Sequence, residues 1–192
     1  GAHPRVKAGV VGINFTLWAP HASRVSVVGT FNQWDGRRHP MERHESGVWE
    51  LFIPDLGLGE LYKYEIRNAE GAVFLKTDPL AFDTEVYPKT ATRVCNLQQT
   101  AWNDGPWMER AVETPGWTLT VALHRATFGE SAEPRQVSAY DQLDTVVLPY
   151  LRERKFTHVE LALWAGGETV ASYFTPNPRY GRPEALMAFI DA

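Results

Sequence analysis

The chain has 192 residues, 44% of them apolar, which gives room for one ordinary domain or two small ones and excludes a disordered or fibrous polymer. Lys and Arg number 19 against 23 Asp and Glu, and the formal charge of -4 argues against a general affinity for phosphate backbones, so no nucleic-acid partner is expected. The longest apolar runs, such as 145–151, fall far short of the roughly 18 residues of a membrane span, and neither a membrane partner nor a signal peptide is expected. A lone cysteine, Cys95, forms no intrachain disulfide and suits a reducing cytoplasm.

Residues 1–9 read as an N-terminal tail that opens on a Gly1-Ala2-His3 tag remnant. From 10 to 97 apolar residues alternate with polar ones, and Gly, Pro or Asn interrupts them every eight to twelve positions, the pattern of a small antiparallel β-sandwich of six or seven strands. Ile13, Phe15 and Leu17 mark the first strand, 25–31 the second and 48–53 the third. In 61–67, Tyr62, Tyr64 and Ile66 share one face, while Leu61, Lys63, Glu65 and Arg67 share the other, so the strand is half buried and Lys63 points outward. Segments 73–76 and 92–97 complete the sandwich.

Residues 98–117, with Trp102, Trp107 and Trp117 and little periodicity, read as a connector whose indoles pack against its neighbours. Beyond it the pattern becomes strand (118–128), helix (138–154) and strand (156–163), which implies parallel pairing through a right-handed crossover. Ser138 is the expected N-cap, and Pro149 should kink or divide the helix. A final helix opens at Pro183, with Leu186, Met187, Phe189 and Ile190 as its apolar residues.

Trp18-Ala19-Pro20, the run Val27-Val28-Gly29-Thr30-Phe31-Asn32-Gln33-Trp34, Leu61-Tyr62-Lys63-Tyr64-Glu65 and Asp78-Pro79 follow one another in an order and spacing that resemble the N-terminal carbohydrate module of 1,4-alpha-glucan branching enzymes, members of the alpha-amylase superfamily. Asp35-Gly36-Arg37-Arg38-His39-Pro40-Met41 and the stretch from Gly47 to Pro54 favour bacterial branching enzymes over isoamylases, trehalohydrolases and kinase β-subunits. Further on, Leu148-Pro149-Tyr150, the stretch from Phe156 to Leu161 and the stretch from Tyr173 to Gly181 resemble the start of that family's catalytic barrel. The resemblance implies an immunoglobulin-like antiparallel β-sandwich (10–97), a connector (98–117) and an α/β fragment (118–192) like the first two units of a TIM barrel.

Two departures stand out. Where the family's first barrel strand carries a Tyr-Glu-x-His type motif followed by Gly-Ser-Trp, this chain has 118–128 without it. The loop after the second strand shrinks to 164–171 and lacks the family's substrate-contacting Tyr. Residues 118–192 also supply only about two of the eight units of a barrel, which takes about 250 residues. The family's nucleophilic Asp, acid/base Glu and stabilising Asp lie on later strands, so no catalytic residue is expected here. Retaining chemistry needs two carboxyls about 5 to 5.5 Å apart across the scissile bond, and no such pair can be nominated. Asp141 and Asp144 read as a solvated helix surface, and His124 and Glu160 as remnants of an active-site face.

The expected carbohydrate-binding residues are Trp34, Lys63 and Asn32. An indole in a turn can lay its face on the C–H face of a glucose ring, and by resemblance Trp34 and Lys63 occupy glycan-contacting positions, with the Lys donating to sugar hydroxyls. The second stacking Trp of the kinase-subunit modules would fall near Ala72 or Val73 and is missing, so α-1,4-glucan should bind weakly. Trp18 and Trp49 are expected in the core or an interface. His39 and His44 lack ligand partners at metal spacing, and neither metal nor cofactor is expected. Two readings follow: an N-terminal part of a branching enzyme, inactive alone and able to self-associate through the open edge of its barrel fragment, or a free-standing glycan-binding or scaffolding protein.

Overall fold

The computed structural model describes residues 1–99, 101–110, 118–123, 139–161 and 172–192. They form two compact units: residues 1–96 with 172–175, and the remainder from Leu97 onward. In the first unit, β1 (Ala2–Lys7), β2 (Val10–Trp18), β5 (Val48–Pro54) and β4 (Glu42–Arg43) form one antiparallel sheet in the order β1-β2-β5-β4. The second sheet pairs β3 (Ala22–Gly29) with β6 (Leu61–Asn68), and β7 (Val73–Lys76) and β8 (Thr92–Arg93) both pair with β6.

Between the sheets lie Ile13, Phe15 and Leu17 of β2, Val25 and Val27 of β3, Trp49 and Ile53 of β5, and Tyr62 and Tyr64 of β6. Period-two alternation brings them there, since each strand sends every second side chain to one face. Phe15 and Tyr62 meet edge to face, with ring centroids 5.0 Å apart. The two tyrosine hydroxyls donate to one carboxylate oxygen of the buried Asp78, at 2.5 Å from Tyr62 and 3.2 Å from Tyr64. Asp78 in turn accepts from the Leu80 amide through its other oxygen, so the buried charge is met by donors on both sides. Ser172 and Thr175 both donate to the Ala81 carbonyl, tying the 172–175 segment into this unit.

The expected tail is corrected by β1: Ala2–Lys7 pairs with β2 from Ala2↔Phe15 to Lys7↔Val10. Ala8 (φ 49°) and Gly9 (φ 82°) close the hairpin, both in the left-handed region that a two-residue turn of matching twist demands. Ala-Gly is a weaker signal for that turn than Asn-Gly, and alternation in 2–7 is blurred because only one side of β1 has a partner.

In the second unit, β9 (Thr120–Leu123) and β10 (His158–Leu161) pair in parallel, as the strand-helix-strand pattern requires. The crossover contains α2 (Ala139–Gln142), a π-helical stretch (Leu143–Val147) and α3 (Leu148–Glu153), with Pro149 in the first turn of α3. Proline has no N–H to donate and its ring crowds the preceding turn, so the helix widens ahead of it, which is the division expected at Pro149. Leu123, Tyr140, Leu143, Tyr180 and Phe189 form the unit's core, the last from α4 (Pro183–Asp191). The short α1 (Gly105–Arg110) follows a loop in which Asn103 donates twice to the Asp191 carboxylate, at 2.6 and 2.9 Å. Ser138, residues 124–128 and 162–163, and the shortened loop 164–171 lie outside the described residues. No helix among the described residues is long and apolar enough to cross a membrane.

Candidate glycan-binding site

The site is built on the way β3 ends. Gly29 is extended (φ -172°), and a Cβ there would stand 2.3 Å from the Leu61 carbonyl oxygen, so only glycine lets β3 approach β6 this closely. A single 3-10 turn, Thr30–Asn32, follows, and then Gln33 and Trp34 both adopt φ 60°. Two successive non-glycine residues in the left-handed region cost about 1–2 kcal/mol each, so the turn persists only because its surroundings over-determine it.

Asn32 supplies that determination. It is 0% exposed, and its Oδ1 accepts from the Gly29 amide at 2.9 Å. Its Nδ2 donates to the Val27 carbonyl and lies against His39 Nδ1, each at 2.9 Å. The Trp34 amide donates back to the Gly29 carbonyl at 2.9 Å, closing the turn. After it the chain runs back along the free edge of β3, with Val27 donating to the His39 carbonyl at 3.0 Å and Met41 to that of Val25 at 2.8 Å. Gly36 lies against the outer face of β6, where an added Cβ would meet the Glu65 carboxylate. Arg24 holds that carboxylate at 2.5 Å.

This arrangement leaves the Trp34 side chain half out in solvent, 39% exposed, on a rigid base. Lys63 is opposite Val28 in the β3–β6 register, one residue from the Gly29 that anchors Trp34. The strand's outer face thus brings Lys63 to the same end of the sheet as the turn. Its Nζ donates to Thr90 Oγ1 at 2.8 Å, so it is oriented rather than loose. Beside the turn, Arg37 donates twice to the Asp35 carboxylate, at 2.9 and 2.8 Å, and those bonds hold the Asp35 carboxyl well below the usual carboxylate range.

Asn32 is corrected as a direct contact: a side chain with no exposed surface and every amide position engaged offers nothing to a sugar. It acts instead by fixing the turn. His39 and Thr90 carry no sequence signal as partners of these side chains, since neither an Asn-to-His spacing of seven nor a Lys-to-Thr spacing of twenty-seven is a local pattern.

The other tryptophans divide. Trp49 is in the core, its indole N–H donating to the Ala19 carbonyl at 2.9 Å. Trp18, expected in core or interface, is 70% exposed, because alternation from Ile13 through Phe15 and Leu17 sends it to the outer face of β2. Trp102 and Trp107 are 45% and 63% exposed rather than packed. Trp117 and Trp164 lie outside the described residues, as does His124. Glu160 is exposed on β10, and Asp144 is exposed in the π-helical stretch. Among the described residues no cluster of three or more His, Cys, Asp or Glu side chains is placed to hold a metal ion.

Residues 1–81 match the family described as Carbohydrate-binding module 48 (Isoamylase N-terminal domain). The whole chain aligns with the 1,4-alpha-glucan branching enzyme GlgB of Gloeobacter violaceus at 40% identity over 206 residues and with that of Pseudomonas aeruginosa at 42% over 203. The chain matches the N-terminal part of a branching enzyme. It spans 28% of the length of either relative, and what it matches is an N-terminal fragment made of the carbohydrate module and the start of the catalytic domain. Among solved structures, a pullulanase from Anoxybacillus sp. LM18-11 superposes with a TM-score of 0.70 at 20% identity, covering 100% of this chain and 31% of that one. A putative alpha amylase from Salmonella typhimurium gives 0.66 at 21%, covering 98% and 30%. At such identities these two neighbours establish the fold of this chain alone. The module match begins at residue 1, which places β1 inside the module.

Proposed function

We propose that this chain is the glycan-binding and structural N-terminal part of a glycogen branching enzyme, an enzyme that moves an α-1,4-glucan chain to an α-1,6 position. By itself it binds α-1,4-glucan weakly and transfers nothing. The observation that carries the reading is the half-exposed Trp34 indole on a turn locked by Asn32, beside an oriented Lys63. The indole offers a flat apolar face to the axial C–H groups of a glucose ring, and the Lys63 ammonium donates to a hydroxyl. To do so the ammonium gives up or shares its bond to Thr90, so its net gain is small. One aromatic platform and one shared donor support weak binding of malto-oligosaccharide.

Retention on a glycogen affinity gel tests this. Trp34→Ala should cut binding by about thirtyfold, the loss expected for a central anchor worth roughly 2 kcal/mol. Equal retention of the two proteins removes the glycan reading and leaves a purely structural module. An iodine-staining branching assay addresses the rest, and any activity of the 192-residue chain overturns the claim that it transfers nothing.

The finer assignments rest on composition and exposure. A single cysteine supports a cytoplasmic setting. Among the described residues β9 and β10 pair only with each other, and His158, Val159 and Glu160 are exposed, which favours association of this sheet with further protein. Sedimentation that shows a strict monomer at all concentrations excludes the self-association form of that idea.

A further inference from the structure

The Asn32 amide has only one orientation that satisfies its neighbours. The Gly29 N–H is a donor, so the Asn32 atom that meets it must be Oδ1. Nδ2 then faces both the Val27 carbonyl and His39 Nδ1, and it can donate to His39 only if Nδ1 carries a lone pair. The imidazole in this turn is therefore the neutral form with its proton on Nε2. Protonation would place an N–H on Nδ1 directly against the N–H of a buried amide that cannot flip without setting its oxygen against the Val27 carbonyl and its NH2 against the Gly29 N–H.

Resting on the glycan reading of Trp34, we propose that His39 is the positioning residue of the platform, holding Trp34 in its left-handed turn through Asn32 only while its imidazole is neutral. Acidification converts an acceptor into a donor, the Asn32 bridge opens, and the strain at Gln33 and Trp34 is released by loss of the turn. The groups around the ring favour the neutral form. Phe31 meets it edge to face at 5.5 Å, and Arg38 is the charged neighbour that acts on it. The carboxylates of the same turn and of the facing strand, Asp35 and Glu65, are engaged by Arg37 and Arg38 and by Arg24. Burial and the Arg38 charge together hold the His39 imidazolium below its ordinary value of 6.5.

The test measures affinity for maltoheptaose or glycogen at about pH 7.5 and about pH 5 for the wild-type chain, His39→Asn, His39→Leu and Trp34→Ala. The Asn variant places an amide oxygen near the position of Nδ1 and cannot be protonated there, so it should bind like wild type at the higher pH and stay unchanged at the lower. The wild type should weaken by about tenfold on acidification. His39→Leu should be weak at both values. An independent readout is NMR, in which the Asn32 side-chain amide and the Trp34 indole N–H should titrate together with the His39 ring, and neither should do so in His39→Asn. Identical pH profiles for wild type and His39→Asn, or Asn32 and Trp34 resonances that stay fixed while His39 titrates, overturn the proposal. If Trp34→Ala binds as well as wild type, the glycan reading fails, and the NMR titration still decides whether His39 positions the turn.

Discussion

Gln33 and Trp34 show how a sequence spends conformational strain to present a side chain. Both sit at φ 60°, where a Cβ crowds the following carbonyl, and neither is a residue type that visits this region readily. The compensation is Asn32, whose loss would strand the Gly29 amide and the Val27 carbonyl in the interior. Asn32→Ala should therefore destabilise the sandwich by about 2–3 kcal/mol in urea denaturation and abolish glycan retention as thoroughly as Trp34→Ala. Gln33→Gly removes one of the two strained side chains without touching the amide network, and should leave stability unchanged or raise it by about 0.5–1 kcal/mol. Titration of His39 adds a pH term of definite sign. Its folded value lies below the ordinary 6.5, so between the two the unfolded chain binds more protons and stability rises with pH. The contribution is complete above 6.5 and is lost as pH falls from there through the folded value, a slope that His39→Asn should lack.

At the level of elements, alternation carried most of the fold. In β6 the buried Tyr62 and Tyr64 face inward and Lys63 outward, as period two requires. What alternation could not say is why two hydroxyls are tolerated in an apolar core. Asp78 answers that: each phenol is a donor to the buried carboxylate, and burial pushes both far above their ordinary values, so they remain donors throughout the usable pH range. Tyr62→Phe keeps the ring contact with Phe15 and removes the shorter bond to a charge, and should cost about 1.5–3 kcal/mol by thermal or urea unfolding. The β1–β2 hairpin offers the opposite case. Ala8 at φ 49° occupies a position that suits glycine or asparagine, and Ala8→Asn should stabilise the unit by about 0.5–1 kcal/mol. Strand β1 was illegible for the same reason that it is marginal: it pairs on one side only, most of its side chains are exposed, and its turn lacks the usual residues.

Across the whole molecule the two units are unequally finished. The first has two sheets enclosing one core, whereas among the described residues of the second most positions of the two short parallel strands are exposed. Hydrogen exchange should reflect this: amides of β2, β5 and β6 should exchange only on global unfolding, and those of β9 and β10 orders of magnitude faster. Equal protection of the two sets would show that the second unit is closed by something other than the described residues.

Legible in the sequence were the strands β2, β3, β5, β6, β7 and β8, the strand-helix-strand order of β9 and β10, the inward set of the sandwich, the division of the crossover helix at Pro149 and the resemblance to branching enzymes. All of these follow from periodicity, from the geometry of proline and from short motifs read in order. The packing of distant strands settles that Trp18 faces out while Trp49 faces in, that Asn32 is a buried strut with Trp34 exposed beside it, and that His39 and Thr90 meet the Asn32 and Lys63 side chains. Those outcomes depend on which groups meet across strands far apart in the chain, and hydrogen bonds that span seven, fourteen or twenty-seven residues leave no mark in a local pattern.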